Sequence, residues 1–394
     1  MNISIITPYL PDLSSGSAVR AYHLLKSLAL KNDVTLISAD KTKPLVSQFK
    51  KEVHNKTYTF DINDINLIDR IRYYTQNKIP YVERLRHSTF NTMLKFIPKD
   101  TDILQITELF SYSIIEPYLN DLPGIKILDA HNIDYLRLKS EFDSSPLWRR
   151  IAGINIYNNL KKYEIEAVKK VDYVLTCSEQ DRKIYSQYKD KKLIKVIPNG
   201  VEVSYFNAQI NHEQKYSVLF MGLLSYSPNA KGLKWYIDKV HPILKQKYLD
   251  YKLVITGLNA PVWLQKISKQ DKQIQLKGFV DDIRKEIARA QVCICPLFSG
   301  SGTRLKLLEY MAMSRPVVST TKGAEGLDVK NNKNILLADN PNNFADSIIN
   351  LINNKKLSID IGKSGRKLVE VEYDWYKIIN QLDILYQKLF RQLI

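Results

Sequence analysis

Pro296-Leu297-Phe298-Ser299-Gly300-Ser301-Gly302-Thr303-Arg304-Leu305-Lys306-Leu307-Leu308-Glu309 carries an apolar strand pattern into a glycine-rich turn and then into a helix. That combination suits a diphosphate. The two glycines let the backbone approach an anion, the first helical turn offers unpaired N–H groups, and Arg304 and Lys306 add two positive charges. Glu309 falls one to two turns into the same helix, where a carboxylate accepts hydrogen bonds from ribose hydroxyls; a nucleotide is the economical ligand. For a single such turn, a loop whose glycines merely cap a strand stands as the alternative.

On either side of this stretch, short β-branched runs alternate with longer segments of helical period, the pattern of parallel sheets sandwiched by helices. A first series places strands at Ile3–Thr7, Val34–Ser38, Asp102–Ile106, Ile125–Asp129, Tyr173–Cys177 and Ile194–Ile197, with helical segments at Val19–Leu30, Ile114–Leu119 and Leu147–Lys170. A second series places strands at Ser217–Met221, Lys252–Thr256, Ile274–Lys277, Val292–Pro296, Pro316–Ser319 and Ile335–Leu337. Helices are expected between them at Gly232–Tyr248, Ile283–Arg289, Thr303–Met313 and Asn342–Asn353. The turn Pro198-Asn199-Gly200-Val201 and the polar run Asn207 to Lys215 separate the two series. The expected organisation is a domain over residues 1–206, a second over 207–374, and a C-terminal helix over 375–394. In that helix Ile378, Leu382, Leu385 and Leu389 form one apolar stripe, which packs on its own domain or crosses back to the first.

A chain of 394 residues suits two domains. No apolar run approaches the ~20 residues of a membrane-spanning helix, so a soluble or peripheral protein is expected. The start, Met1-Asn2-Ile3-Ser4-Ile5-Ile6-Thr7, reads as a first strand rather than a secretory signal. Cys177, Cys293 and Cys295 are too few and wrongly spaced for a disulfide framework or a zinc site, and core packing in a reducing cytoplasm is the favoured reading. The net charge of +17 points to an anionic partner, although lysine excess in a chain also rich in Asn, Ile and Tyr is weak evidence by itself. Clustering says more. Between Asn66 and Lys99 lie Arg70, Arg72, Lys78, Arg84, Arg86, Lys95 and Lys99, interleaved with Tyr73, Tyr74, Tyr81, Phe90 and Phe96, a mixture suited to anionic lipid headgroups.

Taken together, the two α/β series and their loops resemble the family 4 glycosyltransferases of the GT-B fold over nearly the whole chain. Ser14-Ser15-Gly16-Ser17-Ala18-Val19-Arg20 is similar to the family's glycine loop after the first strand. Asp129-Ala130-His131-Asn132-Ile133-Asp134 resembles the segment whose histidine faces the donor sugar, and Pro198-Asn199-Gly200-Val201 the motif before the interdomain linker. Met221-Gly222 matches the phosphate-proximal glycine, Gly278-Phe279-Val280 the loop around the base, and Leu308-Glu309 through Thr320 the most diagnostic run. The resemblance implies an α/β GT-B fold, two Rossmann-like domains with parallel sheets facing across a cleft. It implies a retaining hexosyl transfer from a nucleoside-diphosphate sugar, UDP before GDP, to an acceptor hydroxyl.

Two positions depart from the family pattern. The first of two glutamates spaced by seven residues is Ser301 here, and Leu223 stands where an arginine follows the glycine. Arg304 and Lys306 offer replacement charge, with Lys231 in the role of the family's lysine. On this reading His131, Arg304 and Lys306 are catalytic. Gly16, Gly222, Lys231, Phe279, Val280, Ser301, Gly302, Thr303 and Glu309 hold the donor nucleotide, and Glu108 and Arg20 belong to the acceptor side. Cationic side chains stabilise the leaving diphosphate, so no metal and no cofactor beyond the nucleotide-sugar co-substrate are expected.

The expected acceptor is a glycan or lipid-linked glycan of bacterial envelope or exopolysaccharide assembly. The expected location is cytoplasmic, peripheral at the inner face of the membrane, with an anionic membrane surface as a partner and no nucleic acid. A catalytically silent GT-B partner subunit that binds a nucleotide or glycan, and a GT-B nucleotide-sugar epimerase, remain the competing readings.

Overall fold

In the computed structural model the described residues are 1–11, 16–39, 56–61, 90–143, 147–207, 213–300 and 302–392. The chain divides into two units: Met1–Pro198 together with Ile378–Ile394, and Asn199–Lys377.

The first unit is built on a parallel sheet of β1 (Asn2–Thr7), β2 (Asp33–Ala39), β3 (Lys56–Phe60), β4 (Ile103–Thr107), β5 (Ile125–Ala130), β6 (Tyr173–Thr176) and β7 (Ile194–Val196). Their order is β3-β2-β1-β4-β5-β6-β7. Ile3, Ile5 and Ile6 of β1 and Ile103, Leu104 and Ile106 of β4 are buried on both faces of the sheet. This is why the strands read as near-continuous apolar runs rather than alternating ones. β3 was not anticipated. Its Lys-Thr-Tyr-Thr-Phe sequence is polar on one face, as an edge strand beside β2 allows.

The second unit is a parallel sheet of β8 (Ser217–Met221), β9 (Lys252–Thr256), β10 (Ile274–Gly278), β11 (Val292–Cys295), β12 (Val317–Ser319) and β13 (Leu336–Leu337), in the order β10-β9-β8-β11-β12-β13. The division between the units falls at Pro198/Asn199, ahead of the expected 206/207, because Val201, Val203 and Phe206 already pack into the second unit's core.

In both sheets the order reverses beside the first strand, between β1 and β4 and between β8 and β11. Crevices at the carboxyl ends of strands flanking such a reversal are where open α/β sheets bind ligands.

The helix Trp375–Phe390 runs across the division, and residues from Ile378 onward group with the first unit. Ile378, Leu382, Tyr386 and Leu389 are buried, with Tyr386 taking the place expected for Leu385. Lys31 Nζ reaches Asp383 at 2.8 Å, and the Tyr173 hydroxyl lies 3.3 Å from Gln392.

Other departures are local. The segment expected as a helix from Gly232 begins at Ser227, passes through a π turn at Tyr236–Val240 and continues as His241–Lys247. Near Ile114 the helix is Glu108–Ile115, followed by a short 3₁₀ turn. Much of the basic aromatic segment, from Arg70 to Arg86, lies outside the described residues, as do Ser14, Ser15 and Ser301. Of its remainder, Phe96 stacks on Tyr58 with ring centroids 4.0 Å apart. The three cysteines are buried thiols. Among the described residues no helix is long and apolar enough to cross a membrane.

Candidate functional site

In the second unit, Gly222 follows β8 immediately and has φ +148°, a backbone conformation that favours glycine. Space demands glycine as well. A Cβ there would lie 2.8 Å from Lys306 Nζ and 2.9 Å from Asn229 Nδ2. Asn229, on the helix Ser227–Trp235, donates from Nδ2 to the Leu223 carbonyl at 2.9 Å, which turns its Oδ1 toward the Lys306 ammonium, also at 2.9 Å. Lys306 Nζ lies 4.3 Å from the Phe220 ring centroid.

Beyond β11 the chain enters the glycine turn, where Gly300 and Gly302 both have positive φ, and then the helix Leu305–Ala312. That helix starts two residues later than expected. Arg304 is its N-cap residue in extended conformation and no side chain caps the first turn, so Arg304 and Lys306 flank an N-terminus open to an anion. Arg304 Nη1 donates to the Gly302 carbonyl and Nη2 lies 3.4 Å from the Ser299 carbonyl. The guanidinium is thereby folded over its own loop. Thr303 Oγ1 is shielded from solvent and makes no hydrogen bond.

Burial disfavours the charged forms of Lys306 and Glu309 and acts in opposite senses on the two. The Lys306 ammonium is pushed down to about 8, with Arg304 adding to the effect of burial. The Glu309 carboxyl is pushed up to about 7 by burial, and Lys306 offsets only part of this. Near neutral pH this helix start therefore holds two groups whose charge a ligand can change.

Lys231 lies exposed on the helix Ser227–Trp235, two residues past Asn229, and it is Lys306 that meets Asn229 beside Gly222. Phe279 and Val280 follow β10, with Phe279 66% exposed and Val280 half-buried, so an aromatic face is presented at that strand end.

The first unit gathers a chain of alternating charges at the carboxyl ends of its central strands. Gly16 opens the helix Gly16–Leu28, and Arg20 lies one turn further, 1% exposed. Arg20 Nη2 donates to Asp129 Oδ1 at 2.7 Å, and its Nη1 donates to the carbonyls of Ile197 at 2.7 Å and Pro198 at 3.1 Å. Asp129 Oδ2 faces His131 Nε2 at 3.2 Å, and His131 Nδ1 lies 3.0 Å from Glu108 Oε1, close enough for an ion pair but off the line of a hydrogen bond. The Tyr9 hydroxyl donates to the same Glu108 oxygen at 3.0 Å. Glu108 directly follows β4 with φ +65°, a strained value for a residue with a Cβ and of a kind that collects at functional sites.

A carboxylate on each side of one imidazole calls for a proton on both ring nitrogens. Burial opposes the charge, but Asp129 and then Glu108 outweigh it and push His131 up to about 9. Burial likewise opposes ionisation of Asp129 and Glu108. Arg20 and His131 hold Asp129 well below the usual carboxylate range, and His131, Ser17 and Tyr9 hold Glu108 below it. Both ring nitrogens of His131 face carboxylates and the side chain is only 3% exposed. Glu108, at 21%, is the more accessible end of the chain. Removing either partner of the buried Arg20–Asp129 pair leaves an uncompensated charge, a cost of about 3–5 kcal/mol.

Gly222, Arg304, Lys306, Gly302, Thr303 and Glu309 thus share one end of the second sheet, while Gly16, Arg20, Glu108 and His131 share one end of the first. The expectations from sequence gave no role to Asn229, Tyr9, Gln105 or Tyr386. Asn229 carried a signal, being a polar residue just after a Ser-Pro pair that opens a helix.

Residues 215–354 match the family described as Glycosyl transferases group 1. An uncharacterized 44.6 kDa protein in the cps region of Klebsiella pneumoniae is 26% identical over 329 residues, 77% of this chain and 83% of that one. Sucrose-phosphate synthase from Thermosynechococcus elongatus is similar in structure with a TM-score of 0.73 at 16% identity, covering 99% of each chain. Anabaena Alr3699/HepE, solved in complex with UDP, gives 0.68 at 14% identity, covering 98% of this chain and 100% of that one. The two parallel α/β units have the GT-B fold.

Proposed function

We propose that this protein is a retaining glycosyltransferase that moves a sugar from a nucleoside diphosphate, UDP in the first instance, to a hydroxyl of a glycan or lipid-linked glycan in surface polysaccharide assembly. The observation that carries the reading is the uncapped helix start at Leu305, flanked by Arg304 and Lys306 and set beside Gly222 at the strand-order reversal of the second sheet. The UDP complex of the Anabaena relative and the cps-region setting of the Klebsiella relative support the choice of nucleotide and pathway class.

Chemically, the demanding step is departure of the diphosphate. Negative charge grows on its oxygens as the bond to the anomeric carbon breaks, so donors aimed there favour the transition state over the ground state. Lys306 and the Arg304 guanidinium are those donors, with Gly222 leaving room beside them, and the reading calls for no metal ion. Glu309 accepts from ribose hydroxyls, and Phe279 with Val280 borders the base. In the first unit Glu108 accepts from a sugar hydroxyl. Its depressed proton affinity makes it an orienting carboxylate and a poor general base. His131 holds Glu108 charged and in place.

A panel of UDP- and GDP-sugars, with and without chelator, tests this. Release of nucleoside diphosphate through slow donor hydrolysis, unaffected by chelator, is expected. Tight nucleotide binding without any turnover across the panel would replace the enzyme with a nucleotide-binding partner subunit.

A further inference from the structure

Tyr386, on the helix Trp375–Phe390, is wholly buried, and its hydroxyl donates to Gln105 Oε1 at 2.8 Å. Gln105 lies on β4 and is 2% exposed; its Nε2 lies 3.4 Å from Asp129 Oδ2, the oxygen that also faces His131 Nε2 at 3.2 Å. A carboxylate only accepts, whereas an amide has one donating and one accepting end. Asp129 needs the amide nitrogen turned toward it. The carboxylate sets that orientation, since the reversed amide would put Oε1 against it, and the Tyr386 hydroxyl, donating to the amide oxygen, anchors the side chain there.

We propose that Tyr386 is a positioning residue for the His131–Glu108 pair, acting through Gln105 and Asp129, so that the C-terminal helix is a working part of the first unit's site. Its kinetic consequence rests on the reading of Glu108 as a sugar-facing group; its structural consequence does not. Asp129 Oδ2 is shared among the Gln105 amide, Arg20 Nε at 3.3 Å and the imidazole. Without the amide N–H, more of that oxygen's charge is left to the imidazole and to Arg20, and the ring holds its second proton to higher pH.

The other charged or titratable groups around His131 come from several elements. Glu108 stands at the end of β4, Arg20 on the first helix and Asp134 on the helix after β5. Tyr9 follows β1, and Cys177, after β6, lies near Arg20 and Asp129. Burial keeps both Tyr386 and Cys177 protonated across the range in which His131 titrates.

Ring titration by NMR in the full chain tests the chain of contacts, with His131→Gln identifying the resonance among the six histidines. Gln105→Leu and Tyr386→Phe are each expected to move the His131 titration upward in pH, Tyr386→Phe by no more than Gln105→Leu. The double variant should match Gln105→Leu, since Tyr386 acts through the amide. A titration unmoved in either single variant overturns the proposal, as do additive shifts in the double. A Tyr386→Phe protein that melts earlier with His131 unmoved shows packing alone and overturns it too. Turnover measured in parallel separates the two readings: a shifted titration with unchanged kcat supports the positioning chain and removes Glu108 from sugar contact.

Discussion

Lys306 and Asn229 meet at 2.9 Å, the ammonium donating to the amide oxygen, at the place where Gly222 leaves no Cβ in the way. An ammonium held by a neutral partner retains its full charge for an incoming anion. Lys306→Met and Arg304→Ala are expected to lower kcat by at least about tenfold, the scale of losing one charged transition-state contact, with the melting temperature little changed. Near-normal steady-state kinetics in both variants would remove the leaving-group role.

Lys306 sits at about 8, so a bound diphosphate should raise its proton affinity and draw a proton from solution. At pH 8 and above, calorimetric titration of UDP in buffers of different ionisation enthalpy should reveal proton uptake, with affinity weakening as pH rises. Lys306→Met should bind more weakly and without that uptake.

Glu309 works in the opposite direction. With its carboxyl at about 7, its accepting form is lost as pH falls through neutrality, so UDP affinity should weaken several-fold between pH 8 and 6. Glu309→Gln should abolish this acid limb. An acid limb that survives in the variant would place the titrating group elsewhere.

His131 predicts a pH dependence of stability. Its folded value, about 9, lies above the ordinary histidine range, so its stabilising contribution is complete below about pH 6.5 and is lost as pH rises through 9. The loss is on the order of 3 kcal/mol at most. The urea midpoint should fall over that window in the wild type, and His131→Gln should show a shallower fall.

Most strands were legible because residues buried on both faces of a parallel sheet must be apolar in succession, as Val218 to Met221 and Val292 to Cys295 are. β3 escaped because an edge strand can carry threonine and lysine. The helix at Ser227 was placed late because Ser-Pro reads as a turn, although proline also suits the first turn of a helix. The glycine turn, Lys306 and Glu309 were readable because their chemistry lies within one local stretch. Their partners were not. Asn229 is 77 positions from Lys306 and Asp129 is 109 from Arg20, and only the strand order brings such pairs together. The charge state of His131 was hidden for the same reason, since it depends on Glu108 arriving from another strand.

Residues 378–394 complete the first unit, yet they are synthesised after every residue of the second. During translation the second unit, continuous in sequence, can close its core while the first still lacks Ile378, Leu382, Tyr386 and Leu389. The half of the protein made first is therefore finished last. Until the final helix docks, Gln105 lacks the Tyr386 hydroxyl that anchors its amide, so the second unit can mature on the ribosome ahead of the His131 cluster.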